Sequence, residues 1–133
     1  MPHDSDKADS PESWMAVARG DLAMARIDLP LHATYEMLCF HAQQAAEKSI
    51  KALLAHLGID FPYTHNIAIL VALLPSDLQS VSLLREAERL TPYAVLTRYP
   101  GEKEPVDEER YRRLVGIAAA VVEWVQDYVS RHG

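Results

Sequence analysis

Residues 32–58, HATYEMLCFHAQQAAEKSIKALLAHLG, hold the pattern that decides the fold. Apolar side chains recur along this stretch at helical spacing and share one face. They are Tyr35, Leu38, Ala42, Ala45, Leu53 and Leu57. The spacing predicts a helix from about residue 32 to residue 57, which Gly58 ends because glycine adopts the left-handed conformation at little cost. At 1.5 Å per residue, such a helix is roughly 39 Å long, and the other helices must pack along it.

The flanking sequence predicts further helices on both sides. Ser10 before Pro11 is typical of a helix start, and Leu29-Pro30 ends that first helix. Three segments follow: a short helix over about 66–74, a fourth element over about 77–90 that is interrupted at Thr91-Pro92, and a last helix from about 107 to 130. No stretch alternates with the period of a strand. We therefore predict an all-α, up-and-down bundle of four main helices plus a short helix, with residues 10–131 as a single domain after a flexible N-terminus over 1–9.

Composition excludes several classes of protein. The chain has 133 residues, a net charge of -6 and one cysteine, Cys39. An acidic domain of this size does not coat nucleic acid over its whole surface. One cysteine excludes an internal disulfide framework, and no apolar run is long enough to span a bilayer. These features predict a small, soluble, cytoplasmic domain.

The charges are unevenly distributed along the chain. Residues 29–84 carry six charged side chains, whereas residues 85–113 carry seven acids and seven bases. Fifty-six residues with six charges cannot easily cover the surface of a monomer. A helix from this stretch is expected to bury more than one face, in the core and against a second subunit.

A polar stripe interrupts this apolar region within residues 40–48, FHAQQAAEK. On a helix, His41, Gln44, Lys48 and Lys51 fall on one stripe, with Phe40, Gln43 and Glu47 on the stripe beside it. Imidazole, amide and ammonium groups on one face suit a phosphate or a base edge. The alternative is a solvated face, or a polar seam that fixes helix register. The histidine spacing does not favour a metal site, and His65 is expected to cap the short helix or to pack in its loop.

A second cluster lies near residues 91–100, TPYAVLTRYP. Tyr93 and Thr97 are one helical turn apart, and Arg98 comes shortly before a proline. Its guanidinium group can bind a phosphate, or alternatively can donate hydrogen bonds to the carbonyl groups at a helix end.

Together these clusters resemble the HEPN domain family. The matching segments are FHAQQAAEK at 40–48, Leu53-Leu54, Gly58-Ile59, Thr64-His65-Asn66 and YAVLTRYP at 93–100, followed by the apolar last helix. The resemblance covers about residues 10–130. It implies a helical bundle that usually forms a homodimer, that is often encoded beside a minimal nucleotidyltransferase, and that often acts in a toxin–antitoxin pair.

The resemblance also implies chemistry. The family was proposed to bind nucleotides, and many members are metal-independent ribonucleases with an arginine followed four to six residues later by a histidine on a late helix. No histidine follows Arg98 at that distance. We therefore predict a non-catalytic subunit, without metal or other cofactor, that binds a nucleotide, a nucleotidyltransferase-fold partner, or both. The predicted ligand-binding residues are His41, Gln44, Glu47, Lys48, Tyr93 and Arg98. The alternatives are a ribonuclease with a variant site built from Arg98 and His41, and a purely structural dimeric scaffold.

Overall fold

The computed structural model describes residues 10–95 and 105–133, and within them it contains helices and no strands. The elements in chain order are α1 (Pro11–Ala25), α2 (Tyr35–His56), α3 (Ile67–Ala72), α4 (Ser76–Gln79), α5 (Ser82–Glu86), a 3₁₀ helix (Ala87–Tyr93) and α6 (Glu108–Arg131). The predicted all-α bundle is confirmed. The predicted flexible segment, residues 1–9, and Arg98 lie outside the described residues.

Helix α2 is the centre of the bundle. It packs against α1, α6 and the 3₁₀ helix, and α1 also contacts α6. Residues 49–54 are buried without a break, which is more than one helical turn, so α2 buries more than one face within its own chain. This explains why the sequence around α2 carries so few charges. It also means that a charged side chain on the buried part of α2 needs partners inside the protein.

The ends of the long helices follow the local sequence signals. Ser10 accepts a hydrogen bond from the Ser13 N–H at the start of α1, and Asp107 accepts one from the Arg110 N–H at the start of α6. After α2, Gly58 has a φ of 72°, and the Ile59 N–H donates to the Leu54 carbonyl at 2.9 Å. This is the Schellman arrangement that a left-handed glycine permits.

The region predicted as a fourth helix, residues 77–90, is divided into α4, α5 and the 3₁₀ helix. The Ser80 hydroxyl donates to the Asp77 carbonyl, which competes with helical bonding, and Val81 is extended. Pro92 lies within the 3₁₀ helix and has no N–H to donate, so a regular α-helix does not continue through it.

The connection between α1 and α2 is longer than the sequence predicts. Helix α1 ends at Ala25, whose carbonyl accepts a 2.5 Å hydrogen bond from the Tyr111 hydroxyl of α6. Helix α2 begins at Tyr35 rather than near His32, because His32 has a φ of 69°, which a right-handed helix cannot contain. Among the described residues, no helix is long and apolar enough to cross a bilayer.

Candidate functional site

The carboxylate of Glu47 is the centre of a buried polar network on α2. The Glu47 side chain is fully buried, and both of its oxygen atoms accept hydrogen bonds. Oε2 accepts from Lys48 Nζ and Lys51 Nζ, each at 2.9 Å, and Oε1 accepts from Gln43 Nε2 at 3.0 Å and His65 Nδ1 at 2.9 Å. Four donors therefore converge on one carboxylate, which offsets the cost of removing its charge from water.

Helical spacing and one turn assemble this network. Gln43 and Lys51 lie four residues before and after Glu47, so they share a face of α2 with it. His65 comes from the segment that follows the Gly58 turn, and the Gln43 amide also donates to the His65 carbonyl at 3.1 Å. Because a carboxylate only accepts, the proton of the neutral His65 ring lies on Nδ1. The turn thus returns the chain to the polar face of α2.

The ionised form of Glu47 is strongly favoured. Burial raises the pKa of the Glu47 carboxyl, but the hydrogen bonds from Lys51, Lys48, Gln43 and His65 together lower it to about 2 from an ordinary value of 4.5. Glu47 is therefore a carboxylate at neutral pH, and it does not act as a proton donor there.

The ammonium group of Lys51 lies among three aromatic rings. Its Nζ is 5.5 Å from the ring centroid of Trp14, 5.8 Å from Phe61 and 5.9 Å from Tyr63. Rings at this distance stabilise a cation through their electron-rich faces. Tyr63 is 90% exposed, so this aromatic cage reaches the protein surface on one side.

Lys48 and Gln44 form the outer part of the network. Lys48 Nζ donates to Gln44 Oε1 at 3.0 Å, and Gln44 Nε2 donates to Gln43 Oε1 at 2.5 Å. The Lys48 side chain is 15% exposed and that of His65 is 42% exposed. The Tyr63 and His65 rings meet edge to face at 5.4 Å. Glu47 is therefore shielded from solvent, whereas the network reaches the protein surface at Lys48, His65 and Tyr63.

His41 lies outside this network, although the sequence places it on the same stripe. Its Nδ1 is 3.2 Å from Oδ1 of Asp21 on α1, and its ring meets Phe40 edge to face. This pair joins α1 to α2. The structure therefore brings Gln44, Glu47 and Lys48 together. His41 does not join them, because it pairs with Asp21.

The second predicted cluster is described only in part. Tyr93 is buried at the end of the 3₁₀ helix, which packs against α2. Arg98 lies outside the described residues.

Sequence reasoning missed four members of the site: His65, Trp14, Phe61 and Tyr63. Asn66, rather than His65, caps α3, because its side chain accepts from the N–H groups of Ala68 and Ile69. The aromatic residues come from α1 and the segment after α2, and no spacing within α2 predicts them. The order Glu47 then Lys51, four residues apart, indicates an ion pair on a helix, but it does not point to any of these four residues.

The arrangement suits anion binding better than metal or nucleophilic chemistry. No group of three or more histidine, cysteine, aspartate or glutamate side chains within residues 10–95 and 105–133 is placed to hold a metal ion. The Cys39 side chain, on α2, is fully buried. Two ammonium groups beside one carboxylate leave the cluster with a net positive charge, which attracts anions.

Comparison with known proteins agrees with the helical architecture. The HEPN domain family model matches residues 11–128. The chain is similar to the archaeal HEPN homologue ST0689, at 29% identity over 90% of this chain and 98% of that one, with a TM-score of 0.66. It is also similar to TT1696 from Thermus thermophilus, at the same identity and coverage, with a TM-score of 0.75. No curated protein matches it. Because the family model extends over almost the whole chain, from α1 to the end of α6, the protein belongs to the HEPN domain family.

Proposed function

We propose that this HEPN protein is a non-catalytic subunit that binds a nucleotide at the open side of the Glu47 network. The observation that carries the proposal is a charge imbalance. Among the described residues, Glu47 is the one carboxylate within 4.0 Å of the Lys48 or Lys51 ammonium groups, so the largely buried cluster keeps one positive charge unmatched. A largely buried charge without a partner destabilises the folded protein, and a bound anion reduces this destabilisation.

The exposed side of the network matches the parts of a nucleotide. Lys48 is the ammonium group with the greater exposure, and it is the group assigned to a phosphate oxygen. Gln44 supplies an amide beside it. Tyr63, exposed and within 5.9 Å of Lys51 Nζ, offers a ring face on which a base can stack.

A titration of the intact protein with ATP and GTP, followed by its thermal unfolding, tests this proposal. A ligand that binds only the folded state raises the unfolding temperature as its concentration increases. Lys48→Gln keeps a hydrogen-bonding group but removes the charge, and should reduce the shift. Arg131→Gln removes an exposed charge at the end of α6 and should leave the shift unchanged. No stabilisation of the wild-type protein, or an equal shift in the Lys48 variant, would reject nucleotide binding here.

A ribonuclease built from Arg98 and His41 is the enzymatic alternative. The His41 ring is already paired with Asp21, and the family's arginine-to-histidine spacing is missing after Arg98. Metal-free cleavage of RNA by the pure protein that is abolished by Arg98→Ala would replace the non-catalytic assignment.

Exposed apolar side chains support a protein partner as the second part of the function. Five of them lie near the α1–α2 connection: Met24, Ile27, Leu29, Leu31 and Met37. Leu31 is 86% exposed, and exposed apolar side chains of this size, grouped together, are typical of interfaces. We assign this surface to a homodimer, on which a nucleotidyltransferase-fold partner docks in a toxin–antitoxin-type pair, as the family resemblance implies.

Sedimentation at micromolar concentration tests the homodimer. The wild-type protein should sediment as a dimer, and Leu31→Glu as a monomer. Ile69→Glu, which places the same charge at an exposed position on α3, should remain dimeric. If the wild-type protein sediments as a monomer, the proposed homodimer is rejected. Co-purification with the nucleotidyltransferase encoded by an adjacent gene tests the partner, and its loss in the monomeric Leu31→Glu variant would support docking on the dimer.

A further inference from the structure

A cavity lined by three arginines lies apart from the Glu47 network, in a later part of the chain. Arg89 of the 3₁₀ helix and Arg110 and Arg113 of α6 line it, together with Leu114 and Ile117, and its volume is about 540 Å³. This lies within the usual range of small-ligand sites, roughly 300–1,000 Å³. None of these residues belongs to the site described above.

The positive charge of this cavity is poorly matched among the residues that the structure describes. Within the described residues, Arg89 and Arg110 have no ion pair. Arg113 Nη1 lies 3.4 Å from Glu109, but both side chains are largely exposed, and such a pair contributes little. Three arginines thus line one space, and among the described residues Glu109 is the one carboxylate that forms an ion pair with any of them.

Their positions on α6 add to this imbalance. Arg110 and Arg113 are three residues apart, so they share a face near the start of the helix. A cation in the first turn is unfavourable beside the positive end of the helix dipole. The N–H of Arg110 is already bonded to Asp107, so the contribution of Arg110 to an anion site comes from its side chain.

We propose that this cavity binds the polyphosphate group of a small phosphate-bearing molecule. Guanidinium groups bind phosphate oxygens through paired N–H donors, and three of them suit two or more adjacent phosphate groups better than one carboxylate. Leu114 and Ile117 give the cavity an apolar wall for the rest of the ligand. The exposed acids Glu108 and Glu109 and the net charge of -6 disfavour a long nucleic acid.

Isothermal titration with inorganic tripolyphosphate tests the proposal on the intact protein. The wild-type protein should bind it, and Arg89→Gln and Arg110→Gln should each weaken binding roughly 10-fold or more, since each removes charge-assisted hydrogen bonds. Arg112→Gln is the matched control, because Arg112 lies on the same turn, pairs with Glu108 and does not line the cavity. It should change the affinity less than about twofold, and circular dichroism should show all three variants folded.

For the wild-type protein and the arginine variants, three results would overturn this assignment. They are no binding to the wild-type protein at millimolar tripolyphosphate, equal weakening by Arg112→Gln, and RNA binding that is tighter than tripolyphosphate binding and depends on the same arginines. Lys48→Gln separates the two sites. This variant should bind tripolyphosphate as the wild-type protein does. If nucleotide binding at Lys48 fails, the proposal for the arginine cavity is therefore unaffected. Loss of tripolyphosphate binding in that variant would reject the arginine cavity as the binding site and would favour the Glu47 network instead.

Discussion

Replacing Glu47 by glutamine tests the central claim about the network. Glutamine keeps the size and one acceptor oxygen of glutamate, but it removes the charge that Lys48 and Lys51 share. Both ammonium groups would then remain largely buried without a carboxylate. Loss of one partner from a buried ion pair costs about 3–5 kcal/mol, and we therefore expect a large loss of stability from a change of very few atoms.

The pKa of Glu47 gives an independent estimate of this cost. The ordinary value of 4.5 and the folded-state value of about 2 differ by about 2.5, which corresponds to about 3 kcal/mol at 1.36 kcal/mol for each pKa unit. Because the folded-state pKa is the lower one, this stabilisation is complete above about pH 5.5 and is lost as the pH falls toward 2. At pH 3 the loss should be about 2 kcal/mol, since the unfolded carboxyl is then almost fully protonated and the folded one is not.

Urea unfolding of the wild-type protein and Glu47→Gln at pH 7 and pH 3 measures both effects. The difference in unfolding free energy between the two proteins should be about 3 kcal/mol at pH 7 and smaller by about 2 kcal/mol at pH 3. Glu109→Gln, which removes an exposed carboxylate on α6, should differ from wild type by less than about 1 kcal/mol at either pH. A Glu47→Gln difference that is equal at the two pH values would refute the lowered pKa, and a difference near zero at pH 7 would refute the charge network.

Three further changes test the helix ends by urea unfolding at pH 7. Tyr111→Phe should cost about 1 kcal/mol, because the carbonyl of Ala25 loses its hydrogen bond; an unchanged midpoint would show that water replaces the hydroxyl. Asp107→Ala should cost about 1 kcal/mol through the lost cap of α6, and a neutral result would mean that α6 tolerates fraying there. Gly58→Ala should cost about 1–2 kcal/mol; since a new Cβ meets nothing within 4 Å, the cost comes from the backbone alone, and stabilisation would contradict the left-handed φ.

The start of α1, the end of α2 and the start of α6 could be predicted because their causes are local. Ser10, Gly58 and Asp107 each act on backbone groups within a few residues, and the structure contains the cap or turn that each residue type favours. The division of residues 77–90 was not predictable from apolar spacing. It depends on the Ser80 hydroxyl competing for a backbone carbonyl, which leaves no trace in the apolar pattern.

The candidate site was predicted only as far as α2 determines it. The spacing on α2 brings Gln44, Glu47 and Lys48 together, but another hydrogen-bond partner of Glu47, His65, lies 18 residues away along the chain. His41 was assigned to the same stripe because it shares a helix face, and its Asp21 partner lies on α1, 20 residues away. Such partners depend on how helices pack, which helical periodicity within one segment does not contain.

The two basic regions differ in how much of their charge is neutralised within the chain, and this difference orders their expected affinities. At the Glu47 network, a phosphate approaching Lys48 must share the ammonium with a carboxylate that lies 2.9 Å away and is held there by three other donors. At the arginine cavity, Arg89 and Arg110 have no such partner among the described residues. Each phosphate there forms new charge-assisted bonds instead of exchanging old ones. Tripolyphosphate should therefore bind the arginine cavity more tightly, and selectivity at the Glu47 network must come from the base and Tyr63.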